Sequence, residues 1–260
     1  MHNLTNNYDE AITEFCMMDD EFMTKIFEDN IPCTELLLRT TLQDDTIKVI
    51  KVATQKSLKN LQGHDIRLDI LAKKRDGTLI NVEVQNSDSG AIPQRARYHA
   101  SLLDSHILLK GDDYKTLSDT YVIFITKNDV LKKNLALYHI QRIILEADES
   151  FGDGSHIIYV NNKIKDNTPL GRLMHDFSCK EPDDMYYDVL AKRAAYFKKT
   201  QEGREEMSDV MKKFAERLVH DNNIEIAKNL LADGVSIEII ANRFKLPIEE
   251  VRKLAEKRSA

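Results

Sequence analysis

At 260 residues the chain can form one substantial domain with a small appendage. Its 42% hydrophobic and 31% charged residues describe an ordinary globular protein with a well-solvated surface, and no apolar run approaches the ~20 residues of a membrane helix. A net charge of −6 counts against a protein that coats nucleic acid, so any contact with phosphates has to rest on positive charge concentrated locally.

In chain order, residues 17–29 read as a helix with Phe22, Met23 and Ile26 on one side. After Ile31-Pro32, the run CTELLLRTTL reads as a second helix bearing Glu35, and IKVIKVAT at 47–54 alternates as a first strand. Asp65 to Gln85 carries the strongest signal: two apolar-alternating runs flank Asp76-Gly77, a hairpin signature because Gly takes the positive φ of a tight turn. Alternation sends Ile66, Leu68 and Ile70 one way and Arg67 and Asp69 the other. In the second strand Val82 and Val84 oppose Asn81, Glu83 and Gln85. The hairpin therefore brings Asp69 close to Glu83 and Gln85, and two adjacent acids suit a hard cation such as Mg²⁺.

Pro93 opens a helix, PQRARYHASLLD, on which Gln94, Arg97 and Ser101 share a stripe, with Tyr98 and Leu102 on another. Arg97 either meets phosphate, for which its planar fork is suited, or pairs with a carboxylate such as Asp104 or Asp69. Tyr98 reads as core. TYVIFIT at 120–126 reads as a strand covered on both faces, and HIIYVN at 156–161 extends the sheet. His139, alone in an apolar stretch, reads as a buried structural group, while His64 beside the hairpin is the better functional candidate. The basic cluster Lys73, Lys74, Arg75 at the hairpin tip reads as solvated surface.

From residue 182 the chain is helical and charged. Its end, IEIAKNLLADGVSIEIIANRFKLPIEEVRKL, breaks at Asp233-Gly234, restarts after Ser236 and again after Pro247. This pattern resembles a helix-turn-helix module. The mixture of Arg252 and Lys253 with Glu249 and Glu250 favours packing or dimerisation over DNA reading.

The hairpin acids, together with MDDEFMTKIFEDN, RLDILA, DGTLINVEVQ, PQRARYHASLLD, TYVIFIT, DGSHIIYVNN and LMHDFSC in that order, resemble the PD-(D/E)XK nuclease superfamily. More narrowly they resemble the Rpn family of recombination-promoting nucleases and transposases, over roughly residues 15–215. The resemblance implies an α/β core, a mixed sheet flanked by helices in residues 1–180, then a helical connection at 181–222 and the helix-turn-helix-like module at 223–260. It implies a metal-dependent DNA endonuclease linked to recombination, transposition or mobile elements. Asp69, Glu83 and Gln85 would be its catalytic residues. Asp69, Glu83 and the Val84 carbonyl would hold Mg²⁺ (or Mn²⁺), Gln94, Arg95 and Arg97 would meet DNA phosphates, and Glu35 would be an accessory acid or else a plain helix-start residue. Gln85 departs from the superfamily's Lys; an amide orients water or phosphate but supplies no positive charge. The alternative is a catalytically inactive relative acting as a DNA- or protein-binding oligomer. A homodimer through the carboxy-terminal helices is expected, and no membrane partner. The widely spaced Cys16, Cys33 and Cys179, and an amino terminus without a secretory pattern, point to reduced thiols and a cytoplasmic location.

Overall fold

The computed structural model describes residues 11–60, 64–108 and 110–259, and it divides into two compact units, Met1–Met207 and Ser208–Ala260. The reading of the first ten residues as lacking a secretory signal lies outside the described residues. The first unit opens with helices α1 (Asp20–Phe27) and α2 (Ile31–Leu42) and three strands, β1 (Val49–Leu58), β2 (Ile66–Lys74) and β3 (Leu79–Gln85). Helix α3 (Pro93–Ile107) leads to β4 (Thr120–Thr126), followed by β5 (Leu137–Ile140) and a short ribbon of β6 (Ile143–Ile144) and β7 (Glu149–Ser150). Strand β8 (Ser155–Asn161), α4 (Pro169–Ser178) and α5 (Asp188–Lys199) follow.

The helix starts have local causes. Asn30 accepts a hydrogen bond from the Cys33 amide at 3.1 Å, with Pro32 in the first turn of α2. Thr168 caps α4 through the Gly171 amide at 3.1 Å, ahead of Pro169. At the hairpin tip Gly77 has φ +95°, the conformation that the Asp-Gly pair predicts.

The main sheet runs β1-β2-β3-β4-β8-β5. Strands β1, β2 and β3 are antiparallel neighbours, β3, β4 and β8 are parallel, and β5 lies antiparallel on the edge. Alternation along the strands sorts side chains into two cores. Ile80, Val82, Ile123, Ile125 and Ile158 pack with helices α1, α2, α4 and α5, while Val122, Phe124 and Tyr159 pack with α3. The result is a mixed six-stranded sheet with helices on both faces, the architecture that the sequence predicts.

Two sequence readings need correction. Ile66 and Leu68 join the α3 core while Ile70 and Ala72 join the opposite one, so β2 changes face at Asp69. The neighbouring strand is irregular there too: Gln55 of β1, between the pairs Thr54↔Ile70 and Lys56↔Leu68, has φ +52°, although the register is the same on either side of it. His139 is exposed, because β5 is an edge strand with a partner on one side only.

The first unit is also closed by a buried cation. Lys198 is 4% exposed, and its ammonium donates to the carbonyls of Thr13, Phe15 and Lys180 beneath the Phe22 ring. Replacing it by Met keeps the stem but strands three carbonyl oxygens. Lys198→Met should cost about 2–4 kcal/mol, read as a lowered denaturant midpoint with unchanged slope.

Helix α6 (Gln201–Ala232) runs across the boundary between the units. In the second unit, α7 (Ile237–Phe244) and α8 (Ile248–Ser259) join the end of α6 around Ala227, Ile240, Ala241, Leu246 and Val251. Lys245, at φ +53°, ends α7 ahead of the short turn into α8. The first turn of α8 presents Glu249 and Glu250, with Arg252 paired to Glu249, so the end that a groove-reading helix directs at bases is acidic here.

Candidate active site

Strands β2 and β3 part company at the two acids. Their ladder runs from Lys73↔Leu79 to Ile70↔Val82, after which β2 continues paired to β1 and β3 to β4. The next opposed residues are Asp69 and Glu83, and their side chains take over the hydrogen bonds that the ladder gives up. Asp69 Oδ2 accepts from the Val84 amide at 2.9 Å, and Glu83 Oε1 accepts from the Asp69 amide at 3.4 Å. The Val84 amide faces β2, and on an extended strand the carbonyl of the same residue faces the same edge. The Val84 carbonyl is therefore turned into the gap beside both acids.

Glu83 is fully buried and held on every side. Asn81, also fully buried, donates to Oε1 at 3.0 Å, and Arg95 Nη2 donates to Oε2 at 3.0 Å. His99, 2% exposed, sets its Nδ1 3.6 Å from Oε1 and 3.3 Å from the Asn81 amide nitrogen. Burial above all, then Arg95, holds the His99 imidazole down to about 4, so it is neutral at physiological pH. Burial, then the Asp69 charge, pushes the Glu83 carboxyl well above its ordinary range; burial also raises Asp69, with the Asp20 charge adding to it.

Arg95 connects the acids to Gln85. Its Nη1 reaches Gln85 Oε1 at 3.3 Å and the Gly90 carbonyl at 2.8 Å, its Nε points to His99 Nε2 at 3.3 Å, and the guanidinium lies over the Phe124 ring. Gly90 leaves room for the Gln85 amide: a Cβ there would sit 2.0 Å from Gln85 Oε1 and push that side chain aside. Arg95 thus holds Glu83 and Gln85, and its side chain, 35% exposed, also lines the cleft beside them. Gln94 and Arg97 are exposed on the first turns of α3 and line the same cleft of about 1030 Å³. Asp104 bonds Thr120 and not Arg97.

Asp20, His64, Arg67, Asp69, Val84 and Gln85 also line this cleft. Glu35 does not: it pairs with Arg39 and accepts the Val49 amide at 2.9 Å, fastening α2 to the start of β1. The acid that an early helix does bring to the cleft is Asp20 in the first turn of α1, bonded to Gln55 Nε2 at 2.6 Å and 3.5 Å from Arg67. The acidic run MDDEF is its only trace in the sequence. Tyr98 is half-buried, and its hydroxyl donates to the His64 carbonyl and accepts from Asn60.

The family described as PD-(D/E)XK nuclease family transposase matches residues 25–169, more than half of the chain. The chain belongs to this family. No curated protein and no solved structure matches it. The groups that meet at the fork, two carboxylates and the Val84 carbonyl, offer oxygen atoms only, a chemistry that would fit a divalent ion of the Mg²⁺ kind. Burial is the main reason that both acids hold protons more tightly than free carboxyls do, with the Asp69 charge adding to it at Glu83.

That shift has a measurable sign. A carboxyl whose folded pKa is raised costs nothing at acid pH, where it is protonated in both states, and destabilises as pH rises past its ordinary value of 4.5. In chelator, the Tm difference between a Glu83→Gln chain and the wild type should therefore widen in favour of Gln from pH 5 to pH 8. A pH-independent difference would show that repulsion at the acids is not being relieved.

Proposed function

We propose that the chain is a metal-dependent DNA endonuclease of the Rpn kind, hydrolysing phosphodiester bonds during recombination, transposition or the movement of mobile elements in the cytoplasm. The observation that carries this reading is the opposed pair at the fork of β2 and β3, Asp69 lining the cleft and Glu83 buried directly behind it. Asp69, Glu83 and the Val84 carbonyl would hold Mg²⁺ or Mn²⁺, which when bound polarises the scissile phosphate and lowers the pKa of a water.

The remaining roles fall to the chain's own groups. Gln85, pinned by Arg95 and Gly90, orients the attacking water or a phosphate oxygen. Arg95 supplies beside Gln85 the positive charge that a Lys at that position would bring. Gln94 and Arg97, exposed on α3, meet the flanking phosphates. Asp20, entering the cleft from α1, takes the accessory position that Glu35 cannot reach from its bonds to Arg39 and Val49. The carboxy-terminal helices, with Val219, Ile239 and Ile248 exposed, would pair two copies, which sedimentation tests directly.

Purified protein incubated with supercoiled plasmid should nick it with Mg²⁺ and not with chelator. A second reading, an inactive DNA-binding relative, draws on the Arg95 guanidinium already seated against Glu83. Retained DNA binding without cleavage in Mg²⁺ or Mn²⁺ would select it. At Gln85, Gln85→Leu keeps bulk but loses donor and acceptor, and should lower the cleavage rate about 100-fold; Gln85→Lys should retain measurable activity. Equal rates for the Leu variant and wild type would remove Gln85 from the mechanism.

A further inference from the structure

The three parallel strands end side by side, and lysines collect where they end. Residue 86 follows β3, residue 127 follows β4, and residues 162 and 163 follow β8. The ends are stitched together: the Lys127 amide donates to the Gln85 carbonyl at 3.0 Å and the Asn162 amide to the Thr126 carbonyl at 2.9 Å. Outside them lies a second cleft of about 600 Å³, lined by Asn86, Lys127, Asn162, Lys163, Lys165 and Lys180 among others.

Its charge is unusual for this protein. Four lysines face two acids, Glu14 and Asp19, in a chain whose net charge is −6. Lys180 is neutralised by Glu14 at 2.6 Å, and Asp19 is turned to the Cys16 amide. Lys127, Lys163 and Lys165 are exposed and have no ion-pair partner among the described residues, whereas Lys74 at the hairpin tip is paired with Asp76 at 3.0 Å. The carboxyl ends of parallel strands are also where open α/β sheets hold their ligands.

We infer that Lys127, Lys163 and Lys165 form the track for the nucleic-acid backbone that leads away from the scissile phosphate. The inference rests on the nuclease reading and locates its substrate. Gln85 sits at the wall of the catalytic cleft, and the next residue, Asn86, lines the lysine cleft. Strands lie ~4.8 Å apart, so β3 to β8 spans about 10 Å. That distance is of the order of the separation between neighbouring phosphates along one strand, which is larger than the ~3.4 Å helix rise per nucleotide. A compact ammonium on a flexible stem serves phosphates as a point charge without reading bases, so the track is indifferent to sequence.

The test uses the full chain in chelator, with binding of a labelled duplex and a labelled single strand followed by fluorescence anisotropy across a salt series. A Lys127→Ala, Lys163→Ala, Lys165→Ala triple variant should bind about 10- to 100-fold more weakly. The slope of log K against log salt should be shallower by about 2 to 3 for the duplex. Its melting temperature and its stabilisation by Mn²⁺ should match wild type, since surface lysines touch neither the core nor the acids. A Lys73→Ala, Lys74→Ala, Arg75→Ala variant at the hairpin tip should bind as wild type does. Displacement by millimolar inorganic phosphate with no preference for DNA would reduce the cleft to a simple anion site and overturn the track. Unchanged affinity and slope in the triple variant would overturn it too, while leaving the nuclease reading intact. Wild type that binds no nucleic acid yet is stabilised by Mn²⁺ would overturn both.

Discussion

Glu83→Gln should lower metal-dependent DNA cleavage by about three orders of magnitude, and in chelator its melting temperature should climb relative to wild type as pH rises from 5 to 8. Both effects come from one carboxylate. As a candidate ligand its charge accounts for several kcal/mol of transition-state stabilisation, and each 1.36 kcal/mol is tenfold in rate. As a fully buried acid opposite Asp69, it carries a charge that burial above all, and then Asp69, opposes; the neutral amide removes that pH-dependent cost and gives up the Arg95 pair. Asp69→Ala should be equally inactive. Plasmid nicking at matched Mg²⁺, followed alongside thermal melting in chelator, separates the two effects. Wild-type nicking by either variant would disprove the site.

Removing the opposite charge should reverse the pH trend. In Arg95→Met, Glu83 loses its 3.0 Å ion pair, Gln85 loses its anchor, and the Gly90 carbonyl loses its donor. Breaking a buried pair on one side costs about 3–5 kcal/mol, and the part-exposed guanidinium puts this case near the lower figure. The loss should grow with pH, because Glu83 evades its unpaired charge by staying protonated in acid. Arg95→Lys should restore part of the stability and little of the activity, since an ammonium cannot span Glu83, Gln85 and His99 at once. Urea unfolding at pH 5 and pH 8 measures the first effect, and plasmid nicking the second. A Lys variant as active as wild type would mean that charge alone matters at this position.

The contrast between these side chains shows what was legible in the sequence. The hairpin, the buried β4 and the juxtaposition of Asp69 with Glu83 follow from local rules: a turn that needs Gly77, and a period of two counted back from it. What local rules cannot carry is the rotation of one element against another. Glu35 and Asp20 both sit on early helices rich in acids, and only the packing of α1 over Gln55 brings Asp20 to the cleft while Glu35 closes on Arg39. Alternation fails in β2 at Asp69, opposite the left-handed Gln55 of a different strand, a conformation that no local signal in β2 announces. Asn81 and His99 look like a surface amide and a helix histidine until α3 covers β3 and buries both. The lysines at 127, 163 and 165 are scattered in sequence, and only the parallel order β3-β4-β8 gathers them.

Because the acids replace missing rungs of the sheet, backbone and chemistry share a signal at the fork. The Val84 amide ends on the Asp69 carboxylate instead of on a neighbouring strand. Its chemical shift and its solvent-exchange rate should therefore respond to whatever engages that carboxylate, protons and cations alike, while amides deeper in the β2–β3 ladder stay still. The chain carries its own spectroscopic gauge of the loading of its acids, readable residue by residue without a substrate.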